Sequence, residues 1–298
     1  MLSASRLRDF HPARVAAMDR LIARIRAEAL ASDGGVWVLP NVRFAFFSIL
    51  LSITFGVNLD KNSIIRADEK KVLQVRQEQL DTVILLINRR RSILKNPNLE
   101  LNVTTFSYID SLLNLKVDGC GSIPTDPELV TLCSELISGE TDTTSTSIEW
   151  AMASIIDNPD IQDKLYKDIV SVVGDRSVDD PDLEKMLYLQ AFVKELLRKH
   201  PSTYFSLIHA AVEAVKLGGY DVPPNVNLEM FLPTIAEDER LWLKPLEFNL
   251  KRFISVGETM DITRSTGIRM ILFRAEWRIC PGLAIGMTHI SLMVARMV

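Results

Sequence analysis

The sequence has few of the residues that build small stapled or metal-bound scaffolds. It carries three cysteines in 298 residues. These are Cys120, Cys133 and Cys280, and no two form a CxxC pair. That spacing removes a zinc ribbon and a thioredoxin-like site. An odd set of distant thiols suits a reducing compartment and no disulfide framework. Four histidines, His11, His200, His209 and His289, are scattered, and no HExxH pattern occurs. Positive charge is not in excess: 34 Lys and Arg face 38 Asp and Glu, a net charge of -4. The chain is therefore not marked as a nucleic-acid binder. Internal repeats and low-complexity tracts are also lacking. The first eight residues, MLSASRLR, have no apolar core of a signal peptide. The most apolar run, Phe44 to Val57, is shorter than the roughly 20 residues that span a bilayer. It reads as a buried helix, with a membrane-surface role as the alternative.

What is present is a globular composition. The hydrophobic share is 47%, and the length suits one large domain or two modest ones. Apolar residues recur at helical spacing from Ala13 to Ala31, and Asp33-Gly34-Gly35 is a helix stop. Val42 to Phe55 is apolar on nearly all sides, as a core helix is. Residues 68–94 are charged and periodic, an amphipathic helix. Residues 96–103 and 116–124 read as loops. Thr125, Pro127 and Glu128 form a helix start with a capping box. The helix from about 127 to 158 would be roughly 45 Å long at about 1.5 Å per residue. Residues 160–173 and 182–200 read as two more helices. Val212 to Leu217 and Tyr220 to Val222 flank Gly218-Gly219, a hairpin signal. Residues 225–231 read as a strand and Leu283 to Val298 as a helix. The expected fold is mainly α with a small β-sheet.

Three motifs carry chemistry. The first is GETDTTSTS, residues 139–147, in the middle of the long helix. Gly, Asp, Thr and Ser are poor mid-helix residues, and their hydroxyls can bond back to helix carbonyls. One reading is a solvated kink. The other is an acid–alcohol pair, Asp142 and Thr143, relaying protons into a buried pocket. The second is Glu195 and Arg198, whose i, i+3 spacing puts both on one helix face. Alone the pair is uninformative, because surface ion pairs are common. The third is FRAEWRICPG, residues 273–282. Cys280 just before a helix start gains from the helix dipole, which favours a thiolate. A lone cysteine otherwise reads as a small buried hydrophobe.

In this order and spacing the three motifs resemble those of cytochrome P450s, and the wording is closest to the plant seventy-seven family. The resemblance implies a partial P450 fold over residues 1–298, roughly from that fold's helix D to its helix L. It implies haem held by Cys280, with Phe273, Arg278 and Gly282 completing the haem-binding signature. Arg278 and His209 would contact the haem propionates, although His209 equally reads as a strand-edge histidine. Asp142 and Thr143 would be the catalytic relay of the oxygen-activating helix. Glu195, Arg198 and Arg252 would be the structural triad behind the haem loop. The implied activity is monooxygenation of a fatty-acid-like or other small lipophilic substrate. Electrons would come from an NADPH-cytochrome P450 reductase, at the cytoplasmic face of the endoplasmic reticulum membrane.

Against that family, Met1 falls near the end of the third helix and Val298 inside the helix after the cysteine. The anchor and first sheet would lie upstream. Residues 56–70 are short for the family, implying an internal deletion. Glu140 stands where the family has a small residue, and a carboxylate there resists burial unless paired. Glu276 replaces the loop glycine, Trp277 a position often basic, and Leu250 a common proline. Together these departures imply weak or absent haem binding. They leave an alternative: a catalytically inactive P450 remnant or gene-model fragment, at most a helical interaction module.

Overall fold

The structure is a computed structural model that describes residues 7–31, 35–56, 72–95, 106–116, 122–255, 258–259, 270–273 and 278–298. The loop expected at 96–103, the shortened stretch beyond Gly56, and Glu276 and Trp277 lie outside the described residues.

The helices are α1 (His11–Ala31), α2 (Val38–Phe55), α3 (Val72–Lys95), α4 (Tyr108–Leu113), α5 (Asp126–Asp157), α6 (Pro159–Val173) and α7 (Leu187–Lys199). Two-residue and three-residue strands follow: β1 (His209–Ala210), β2 (Val215–Leu217), β3 (Tyr220–Val222) and β4 (Asn227–Leu228). A short helix α8 (Leu232–Ala236), strands β5 (Ile254–Ser255) and β6 (Glu258–Thr259), and α9 (Leu283–Met297) complete the order. Among the described residues the fold is mainly helical with small antiparallel pairs, consistent with the mainly α fold that the resemblance implies.

The chain divides into two compact units. The first holds Met1–Glu149 with Ala284–His289 and Met297. In it α1 packs on α2, and α2 touches α3 and α4. The apolar helix α2 is buried along Phe46, Ile49, Leu50, Ile53 and Phe55. By length and composition it could cross a membrane, yet 61% of that window is buried inside the protein. Burial against protein satisfies its apolar faces, as the sequence implies. Gly56 ends it in the left-handed region at φ 68°, the usual helix stop. Arg90 forks onto Asp110 at 2.8 and 2.5 Å in the interior. Asp110 also accepts the Ser107 backbone N–H at 2.8 Å, capping α4. α4 is too short for periodicity to reveal, and its one local signal is the Ser107–Asp110 capping box.

The capping box at α5 forms as read. The Thr125 backbone N–H and hydroxyl both reach a Glu128 oxygen at 2.7 Å. These bonds hold the Glu128 carboxyl below its usual range.

The second unit holds Trp150–Leu283 with Ile290–Arg296 and Val298. Its centre is α7, which packs against α6, α8, β5, β6 and the turn at Leu250–Phe253. The start of the expected 182–200 helix is instead a 3-10 segment, Asp180–Lys185. Asp182 caps that segment and forks with Arg176 at 2.6 Å, so its carboxyl is bound locally and α7 begins later. The hairpin pairs Val215 with Val222 and Leu217 with Tyr220. Gly218 and Gly219 hold φ of 59° and 88°, which suits a type I′ turn. The strand expected over 225–231 pairs at Asn227 and Leu228, with Ala210 and His209, and by a single antiparallel bridge from Phe231 to Phe205.

Candidate active site

The most densely hydrogen-bonded part of the site among the described residues is the network on α7. Glu195 and Arg198 stand one turn apart, and both side chains are fully buried. Arg198 donates to the two Glu195 oxygens at 2.7 and 2.8 Å. It also donates to the Ala236 and Glu247 carbonyls at 2.7 and 3.3 Å. The Asn249 backbone N–H donates to Glu195 at 2.8 Å, and Arg252 Nε does so at 3.3 Å. Arg252 spreads its remaining donors over the Leu243, Lys244 and Glu247 carbonyls. The Trp242 ring lies under the Arg198 guanidinium at 5.4 Å. One carboxylate and two guanidiniums thus tie residues 236–252 to α7. The i, i+3 pair is not a surface pair here, because the chain after α8 wraps over it.

The cysteine loop is closed by its backbone. The Cys280 N–H donates to the Phe273 carbonyl at 2.7 Å, and Leu283 N–H donates to the Cys280 carbonyl at 3.2 Å. Gly282 is the N-cap of α9. Cys280 is a free thiol with intermediate exposure. Arg278 is exposed and Phe273 half-buried. His209 is half-buried in β1 opposite Leu228.

The middle of α5 differs from the sequence reading. Thr141, Thr143, Ser145 and Ser147 each donate to the carbonyl four residues back, at 2.6–2.9 Å. The hydroxyls are satisfied by the helix itself, and the helix runs on without a break. Asp142, expected beside a buried pocket, has a side chain 70% exposed and bound to Arg43 at 2.9 Å. The reason is helical phase: Gly139, Asp142, Glu149 and Trp150 fall on one face, and that face is exposed. The opposite face carries Ile137, Glu140, Thr144 and Ile148, all buried.

Glu140 meets the pairing condition that its burial demands. Its Oε1 lies 2.6 Å from His289 Nδ1, and the His289 ring is fully buried. Sequence reasoning found the carboxylate but not its partner, 149 positions away, for which no local signal exists. It also missed the stack of His200 on Trp150, with centroids 4.1 Å apart and planes 7° off parallel.

Comparison with known proteins now supplies the family. Cytochrome P450 89A9 of Arabidopsis thaliana is 27% identical over 341 aligned residues, covering all of this chain and 65% of the relative. That alignment is longer than this chain, so the relative carries residues with no counterpart here. Cytochrome P450 98A1 of Sorghum bicolor is 37% identical over 64% of this chain and 36% of its own length. A flavonoid 3'-monooxygenase of Petunia hybrida is 39% identical over 64% of this chain and 38% of its own length. The chain spans between about a third and two thirds of these relatives. They are plant P450s, and they give no support to the seventy-seven family in particular. The family model described as Cytochrome P450 matches residues 62–298, so the chain belongs to the cytochrome P450 family.

Proposed function

We propose that this chain is the haem-holding part of a plant haem-thiolate monooxygenase. The cofactor of the family is haem bound through a cysteine thiolate. The residues here fit it: Cys280 is a free, partly exposed thiol in a closed loop at the head of α9. That is the observation on which the reading rests. A single soft sulfur donor suits iron from this side. The α9 N-terminus stabilises the thiolate, and Phe273 and Gly282 shape the loop. Arg278, exposed beside the loop, and His209 would bind the propionates as charge-assisted donors. Glu195, Arg198 and Arg252 would fix the segment that precedes the loop. Bound haem would supply oxygen activation, placing one oxygen atom in the substrate.

In this reading Asp142 and Thr143 relay protons only after two contacts are broken. Asp142 must leave Arg43, and the Thr143 hydroxyl must leave the Gly139 carbonyl. Electrons would come from an NADPH-cytochrome P450 reductase, at the endoplasmic reticulum membrane. The substrate is a small lipophilic molecule. The motif wording points to a fatty acid, whereas several relatives are named for flavonoid 3'-monooxygenation. Adding each class to the haem-loaded chain and reading the haem spin-state band would separate them.

The test of the main reading is spectroscopic. The chain is supplied with haem, reduced and exposed to carbon monoxide. The haem-holding reading expects a red-shifted thiolate–haem band, weakened by the departures at Glu140 and Glu276, and Cys280→Ala should remove it. A band that survives Cys280→Ala refutes the ligand assignment, and no band in wild type refutes haem binding. A second reading, an inactive helical interaction module, is favoured by exposed apolar side chains on the second unit. Leu207, Val212, Tyr220 and Leu243 are all more than half exposed. A soluble, cooperatively unfolding monomer that takes up no haem would establish it.

A further inference from the structure

Glu140 and His289 have no part in the roles above, yet both are ionisable side chains buried in the first unit. Glu140 lies two residues from Asp142, about 200° around the helix, and so points inward where Asp142 points out. Glu140 Oε2 and His289 Nε2 are both buried without a hydrogen-bond partner. The Phe46 ring stands 5.3 Å from the imidazole, tilted by 40°. The three helices that meet here bring little other charge. Arg43 is the sole charged side chain of α2, and it is bound to Asp142. On α5, Glu135 and Glu149 are exposed, and Asp126, Glu128 and Asp157 lie near its ends. On α9 the other charge is Arg296, two turns beyond His289.

An unpaired carboxylate in such a place is strongly disfavoured, as is a lone imidazolium. A single proton between Oε1 and Nδ1 resolves both problems. With it the pair is neutral overall, whichever atom holds it. The contact of 2.6 Å is slightly shorter than the roughly 2.7–2.9 Å of charge-assisted N–H···O bonds.

We propose that Glu140 and His289 form a one-proton acid–base couple in the interior, on the buried face of α5 opposite the exposed Asp142. When the proton leaves, a carboxylate and a neutral imidazole remain, and a proton from solvent restores the couple. Its use rests on the haem-thiolate reading, but its existence does not.

The test has two arms. In the haem-free chain labelled with 15N-histidine, His289 should show an imidazole proton shifted far downfield and slow to exchange. Glu140→Gln, close to isosteric, should abolish that signal while the helical circular dichroism stays. A His289 imidazole signal that is the same in wild type and Glu140→Gln overturns the couple. In the haem-loaded chain the reduction potential is followed against pH. Glu140→Gln should flatten the dependence, and Glu140→Asp should restore part of it. Identical curves for wild type and Glu140→Gln overturn the functional role. A wild-type chain that takes up no haem defeats the monooxygenase reading instead, and the histidine spectra then decide the couple alone.

Discussion

Glu195→Ala is the substitution whose cost the geometry defines best. Glu195 is the only carboxylate recorded on the Arg198 and Arg252 guanidiniums among the described residues. Removing it leaves Arg198 fully buried with two carbonyl acceptors, those of Ala236 and Glu247. Breaking one side of a buried pair costs about 3–5 kcal/mol, against about 0–1 kcal/mol for an exposed pair. At about 1.4 kcal/mol per tenfold, the larger figure is about two to three and a half decades in the folding equilibrium. Urea denaturation followed by circular dichroism should show a lower midpoint with an unchanged slope. Hydrogen exchange offers a local check, because the Asn249 N–H donates to Glu195 and should lose protection. Replacing both residues, Glu195→Ala with Arg198→Met, should recover much of the loss, since no unpaired charge is then buried. A Glu195→Ala loss below about 1 kcal/mol would show that water reaches this network, and would refute the reasoning.

Other outcomes follow from single sites. Burial pushes the Cys133 thiol up to about 12, so an aromatic disulfide reagent at pH 8 should label Cys280 well before Cys133 in a Cys120→Ser background; equal rates would contradict the burial. His200 is held below its ordinary value by burial, then by Lys199 and Arg198. Its folded form binds the proton later than the unfolded form, so stability through this group falls as pH drops below about 6.5. An NMR titration midpoint for His200 at or above that value would reverse the sign. Gly56→Ala should destabilise the chain by more than about 1 kcal/mol. Its φ is +68° and a Cβ would stand 2.6 Å from Arg90 Nη1; a neutral result in thermal melts would mean that Arg90 moves freely.

The sequence by itself determined the elements whose cause is local. The 3.6-residue period and the Thr125–Glu128 box determined α5, and the alternation around Gly218-Gly219 determined the hairpin. The apolar run determined α2 as a buried helix. The order of GETDTTSTS, Glu195 with Arg198, and Cys280 carried the family, because joint spacing survives where each motif alone is common. Local pattern failed where elements were short: α8 and the two-residue strands are fixed by neighbours rather than by propensity, and α4 has only its Ser107–Asp110 capping box. Sequence also gave each residue's type but not the face it shows. Asp142 and Glu140 are two residues apart, and only packing decides which is buried. The i, i+3 spacing of Glu195 and Arg198 fits a solvated pair and a dry one equally. The chain from Ala236 to Arg252 folds back over them and excludes water. His289 is a partner that no spacing could name, because a buried carboxylate is satisfied by whatever the tertiary structure brings to it.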